Sequence, residues 1–138
     1  MSDLIHATAV AIGDRAVLIT GASGAGKSDL ALRLIDRGAT LISDDQVLLT
    51  VKDGTLEASP PERIAGKMEV RGLGILSFDH RAGVPVALLV ELGRTQRMPE
   101  PAREALLEVA IPKALIDPFE QSAPIKVELA LEHWGLRP

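Results

Sequence analysis

Apolar and polar positions change rhythm repeatedly along this chain, and the changes divide it into short elements. Ile5–Ile12, "IHATAVAI", reads as a strand. Gly13-Asp14 is a turn signal between two strand-like runs, which predicts a hairpin into Ala16–Thr20. From Asp29 to Arg37 the apolar residues fall at Leu30, Ala31, Leu34 and Ile35, the stripe of an amphipathic helix, and Gly38 follows as its stop. Thr40–Ser43, Val47–Val51 and Thr55–Ala58 read as strands, the last two joined by an Asp53-Gly54 turn. Pro60-Pro61 breaks the chain, and "KMEVRGLGILSFD" after it is strand-like. Val84–Leu92 is long enough for a buried strand. Arg94 to Arg103, with two prolines and mixed charges, predicts an exposed loop. Leu106–Ile111 and Ala114–Ile116 read as strands around Pro112. Ser122 to Trp134 predicts a final helix with Ser122 as N-cap and Pro124 in its first turn. No repeat or linker interrupts the series, so one domain over residues 1–138 is expected.

Composition narrows the function classes. The chain has 138 residues, 46% apolar and 25% charged, enough for one globular core. Two Phe, one Trp and no Tyr leave the core to Leu, Ile, Val and Ala, and provide no aromatic platform for a nucleic-acid strand. The net charge of −4, with no basic run, also argues against duplex binding. The absence of cysteine excludes disulfides and thiolate chemistry. No apolar run approaches a membrane span, and "MSDLIHATAV" lacks the pattern of a signal peptide, so a cytoplasmic protein is expected.

Candidate chemistry begins directly after the second strand. Gly21, Ala22, Ser23, Gly24, Ala25, Gly26, Lys27 and Ser28 match G-x-x-x-x-G-K-[ST] in full. Small residues let successive backbone N–H groups curl around an anion. Gly24 and Gly26 permit backbone angles and a close approach that a Cβ forbids. The following helix directs its partially positive end at the phosphates, Lys27 reaches the β- and γ-phosphates, and Ser28 offers a hydroxyl to Mg²⁺. With an apolar strand before the loop and an amphipathic helix after it, the stretch is expected to bind nucleotide phosphates.

Phosphoryl transfer also needs a carboxylate beside the loop, and "TLISDD" supplies two. Asp44 and Asp45 follow a short apolar strand, in the position of a Walker-B element. Neighbouring residues on an extended segment point to opposite sides, so the pair is expected to divide its tasks. Glu69, Arg71 and His6, taken alone, read as a charged strand edge and a structural histidine.

Four spaced stretches together resemble the catalytic domain of bacterial HPr kinase/phosphorylase. They are His6 fifteen positions before Gly21, "GASGAGKSD", "RGATLISDD" and "MEVRGLGI", whose Glu69-Val70-Arg71-Gly72-Leu73-Gly74-Ile75 fits the family signature. The resemblance covers Ile5 to about Ser77 and looks like a short form holding only the catalytic core. It implies an α/β fold with a P-loop nucleotide-binding core of the phosphoenolpyruvate-carboxykinase-like type, a mixed sheet with flanking helices. It implies an ATP- and Mg²⁺-dependent serine kinase acting on an HPr-like phosphocarrier, a reverse phosphorylase activity, and a homo-oligomer, a hexamer in the family. Carried over, Lys27 and the P-loop amides hold the nucleotide, Ser28 and Glu69 serve Mg²⁺, Asp44 or Asp45 takes the serine proton, His6 lies near that pair, and Arg71 meets phosphate charge. The family's late P-G-R-N loop has no counterpart; that region reads "DPFEQSAPIKVEL". A small-molecule kinase of the same fold and a nucleotide-sensing module without transfer are the competing readings.

Overall fold

The computed structural model describes residues 1–95 and 97–137. Its strands are β1 (Ser2–His6), β2 (Thr8–Ile12), β3 (Arg15–Thr20), β4 (Thr40–Ser43), β5 (Gln46–Lys52), β6 (Thr55–Ser59), β7 (Lys67–Val70), β8 (Gly74–Ser77), β9 (Val84–Leu92), β10 (Ala102–Leu106) and β11 (Val109–Ile116). Helix α1 spans Lys27–Asp36 and α2 spans Ala123–Trp134. Among the described residues, β7 and β8 form a separate hairpin and the other nine strands form one mixed sheet.

Strand β9 organises that sheet. Its first residues, Val84 and Pro85, pair antiparallel with β6. Beyond them β9 runs parallel to β3 on one side and β11 on the other. The sheet therefore folds over itself along β9. Val10, Val17, Ile19, Leu88 and Val90 face a core shared with α1 and α2. Their neighbours Ala9, Ala11, Ala16, Leu18 and Leu89 face a second core with Val47, Leu49, Leu56 and Ala58 of β5 and β6. Strands covered on both faces lose polar alternation, which is why β3 and β9 are continuous apolar runs.

The α/β class and the mixed sheet flanked by helices are as the sequence led one to expect, and several boundaries differ. The run Ile5–Ile12 is two strands. The chain crosses between layers at Ala7, so β1 pairs with β5 while β2 pairs with β3 and β4. No glycine or proline marks this crossing, and apolar character continues through it. Near the C-terminus the strands are Ala102–Leu106 and Val109–Ile116, not Leu106–Ile111 and Ala114–Ile116, and the exposed loop ends one residue before β10 instead of at Arg103. The turn between them is Leu107-Glu108, both at positive φ, 48° and 67°. Neither residue is a usual choice for that conformation. Pro112 lies inside β11, opposite Arg103, and the parallel ladder to β9 starts only at Lys113. A missing N–H is tolerated at such a margin. Helix α1 begins at Lys27, directly after the P-loop as its motif requires, and Ser122 is the N-cap of α2 with Pro124 in the first turn, although it makes no side-chain capping bond.

The two helices are strapped together by Arg37, whose guanidinium grips both carboxylate oxygens of Glu128, with Nη2 at 2.8 Å from Oε1. That hydrogen bond, with the Coulomb attraction of the same carboxylate, raises the Arg37 pKa. The strap is open to solvent, so its worth is screened. Stability rests instead on β9. Replacing the fully buried Leu88 by Ala is expected to cost about 2–5 kcal/mol. A urea unfolding curve with an unchanged midpoint would show that β9 is not the centre of the core.

Candidate active site

The loop between β3 and α1 is shaped by three glycines for two different reasons. Gly24 and Gly26 sit at φ 79° and 105°, the left-handed region that a side chain resists. Gly21 has ordinary angles but no room: a Cβ there would lie 3.2 Å from that of Ala25 and 3.3 Å from that of Leu92. A Cβ at Gly24 would meet nothing within 4 Å, because that position opens on the cavity. Gly26 precedes α1 with no capping side chain, so the first-turn amides are left for a partner outside the helix. Lys27 is buried, 7% exposed, and its ammonium donates to the carbonyls of Gly21 and Ala22, both at 2.9 Å. Two of its three N–H groups thus brace the loop, and one remains for a ligand.

The two crossings between layers lie side by side. Ala7 alone joins β1 to β2, and Asp44-Asp45 alone joins β4 to β5. The N–H of Ala7 donates to the carbonyl of Asp45. Thr8, just after the first crossing, donates its hydroxyl to Asp44 Oδ1 at 3.0 Å. His6, just before it, places Nδ1 3.4 Å from Asp45 Oδ1. The two carboxylates therefore rest on different partners; the pair is a bend with Asp45 at φ 72°, so strand alternation is not what parts them.

Asp44 is 8% exposed and fully engaged. Its Oδ1 also accepts from Ser28 Oγ at 2.6 Å, and Oδ2 accepts from the Glu69 N–H at 3.3 Å. A buried carboxylate needs such donors. Asp45 is exposed, at φ 72°, with His6 as its neighbour. On β7 the alternation sends Met68 into the core and leaves Lys67 and Glu69 outward.

These residues meet in one cavity of about 780 Å³. His6, Ser23, Gly24, Gly26, Lys27, Ser28, Asp44, Asp45, Glu69 and Arg71 all line it. Gly21, Ala22 and Ala25 do not: they form the backbone behind the loop, with Ala25 N–H bonded to the Ala22 carbonyl. Thr8, Arg63 and Lys67 also line the cavity and were missed by sequence reasoning. Lys67 was legible in principle, two residues before Glu69 on the same strand face. Thr8 and Arg63 had no local signal. Among the described residues no group of three or more His, Asp or Glu converges to hold a metal ion unaided. Ser28 Oγ and the Asp44 carboxylate do converge, and a hard oxygen pair completed by phosphate oxygens suits Mg²⁺. Among the described residues no helix is long and apolar enough to cross a membrane.

A glycine loop between a parallel strand and a helix, facing a carboxylate at the end of β4, which lies one strand beyond β2 from β3, defines a P-loop α/β protein. The sequence profile of the HPr serine kinase C-terminal domain matches residues 1–89, and the chain belongs to that family. It is 44% identical over 84 residues to the HPr kinase/phosphorylase of Clostridium botulinum, a stretch covering 61% of this chain and 28% of that protein. Against the HPr kinase/phosphorylase of Neisseria meningitidis it is 46% identical over 83 residues, covering 59% and 26%. Both matches take in little more than a quarter of the relative's length. The structure of the HPr(Ser) kinase/phosphatase of Coxiella burnetii superimposes with a TM-score of 0.82 at 29% identity, covering 94% of each chain.

The hydroxyl of Thr8 is what holds Asp44 from the β2 side. Thr8→Val keeps the shape and removes the donor. It is expected to lower stability by about 1–2 kcal/mol, read from a denaturant midpoint. No change would mean that Ser28 and Glu69 satisfy Asp44 without it.

Proposed function

We propose that this chain is an ATP- and Mg²⁺-dependent protein-serine kinase whose acceptor is an HPr-like phosphocarrier, acting in the cytoplasm as a homo-oligomer, a hexamer by family resemblance. The carrying observation is the split of the carboxylates: Asp44 buried against Ser28 of the P-loop, Asp45 open beside His6. Residues 1–138 act as one catalytic domain in this reading.

Each residue has a separable task. The P-loop amides and Lys27 hold the β- and γ-phosphates and steady the charge that moves during transfer. Mg²⁺, when bound, neutralises charge shared by the phosphates, and Ser28, Asp44 and Glu69 are the residues that would hold it. A serine hydroxyl is a weak nucleophile at neutral pH, so a base must accept its proton. Asp45 is that base: it lines the cavity and is not consumed by structural hydrogen bonds. The serine oxygen forms a bond to the γ-phosphorus, the bond to the bridging β-oxygen breaks, ADP leaves, and the proton rests on Asp45. His6 orients the Asp45 carboxylate. Arg71 meets phosphate charge from β7, with Arg63 and Lys67 adding to the positive lining. In the reverse direction a protonated Asp45 returns its proton to the serine oxygen as inorganic phosphate attacks, giving pyrophosphate.

Incubating the chain with ATP, Mg²⁺ and a purified HPr-like carrier should add one phosphoryl group to the carrier, visible by intact mass. Lys27→Ala should cut that rate at least about 100-fold with an unchanged circular dichroism spectrum. Asp45→Asn should lower kcat by roughly 10²–10⁴-fold and leave nucleotide affinity intact. Asp44→Asn should instead raise the Mg²⁺ concentration needed for half-maximal rate. Full activity of Asp45→Asn would remove it as the base. Transfer to a metabolite but never to a carrier would make the protein a small-molecule kinase.

A further inference from the structure

The chain has only two phenylalanines, and they are used in opposite ways. Phe78 packs against the helix-side core, whereas Phe119 is 84% exposed. A single exposed apolar side chain is ordinary by itself. What sets Phe119 apart is the turn that carries it and where that turn lies.

Residues 117–121 follow β11, which is parallel to β9, itself parallel to β3. The P-loop follows β3. Both segments thus leave the carboxyl end of the same parallel array, where α/β sheets bind ligands. The turn is also built rather than loose. Arg33, on α1, donates Nη2 to the Pro118 carbonyl at 2.6 Å and Nη1 to the Glu120 carbonyl at 3.4 Å. The Phe119 N–H donates to Asp117 Oδ1 at 3.0 Å. Lys126, on α2, donates to Glu120 Oε1 at 2.7 Å. Pro118 closes against the P-loop itself: a Cβ on Gly26 would lie 3.4 Å from its own.

Phe119 lines a shallow cavity of about 400 Å³ with Asp29, Arg33, Pro118, Glu120 and Gln121. Asp29 lines both this cavity and the large one over the P-loop, so the two spaces adjoin at the residue after Ser28. A nucleotide held by its phosphates at the start of α1 must send its ribose and base away from the loop, and the adjoining space is the one Phe119 lines.

We propose that Phe119 is the platform on which the nucleobase of the phosphate donor stacks. This rests on the P-loop binding a nucleotide. A π-face accepts any base, so the contact contributes affinity without reading the base edge. The held turn means that little ordering is needed on binding.

The test is calorimetric titration of wild-type and Phe119→Ala protein with ATP and, separately, with inorganic tripolyphosphate, both with Mg²⁺. Tripolyphosphate has the phosphates and no base. Phe119→Ala is expected to weaken ATP roughly 5- to 100-fold and leave tripolyphosphate unchanged, with Phe119→Tyr restoring ATP affinity. Equal ATP affinity in wild-type and Phe119→Ala protein overturns the proposal. An equal loss for both ligands also overturns it, since the turn would then only support the P-loop. If the wild-type protein binds neither ligand, the P-loop reading fails and the base site with it. The side chain is exposed, so the variants should fold as the wild type does.

Discussion

The carboxylate of Asp44 is the constraint on which the site depends. It is a buried charge at the end of β4, and donors from three other elements satisfy it: Thr8 of β2, Ser28 of α1 and the Glu69 amide of β7. Taking an ion out of water is costly, and leaving such a group unpaired costs several kcal/mol. The sheet, the P-loop helix and the separate β7–β8 hairpin are therefore registered to one another through one side chain. A network of this kind is poorly explained as a device for stability, because apolar residues would fill the space as well. It fits a centre whose oxygens have work to do in a definite place.

That arrangement also shows how adjacent acidic residues are kept apart chemically. Asp44 and Asp45 line one cavity yet rest on different partners. Here the one-residue links Ala7 and the two-residue link Asp44-Asp45 cross between layers together. Thr8 and His6, on either side of Ala7, then meet different members of the pair. One carboxylate is enclosed by neutral donors and the other faces solvent. Topology, more than residue type, makes the distinction.

The P-loop was legible because its chemistry is local. Spacing within eight residues specifies the turn, the helix start and the lysine, and both flanks carried their own periodicity. Asp44 and Asp45 were legible for a similar reason, as charges at the end of an apolar strand. The pattern could not say which of the two would be buried, since that depends on Thr8 and Glu69, 36 and 25 positions away. Glu69 and Arg71 were drawn into the site by family resemblance alone; their local pattern is that of any charged strand. Thr8 was hidden inside an apolar run misread as one strand, because a chain that stays buried while changing layers shows no break in polarity. Arg63 sits in a 3-10 turn after two prolines, with nothing nearby to mark it. The Leu107-Glu108 turn escaped because neither residue is chosen for positive φ. Long-range pairing there overrides local preference.

Strand β9 contributes to both cores, as β2 and β3 also do, and it is the strand on which β6, β3 and β11 pair. Its partner β3 lies roughly seventy residues earlier, so the central ladder closes only after a long stretch of chain has been restrained. Neither half of the sheet can be finished without it. Hydrogen exchange would accordingly find the amides of Leu88 to Val90 among the slowest in the molecule, opening only when everything opens, while the β7–β8 hairpin exchanges by its own smaller excursions. The part of the site carried by β7 can thus fluctuate on a frame that does not.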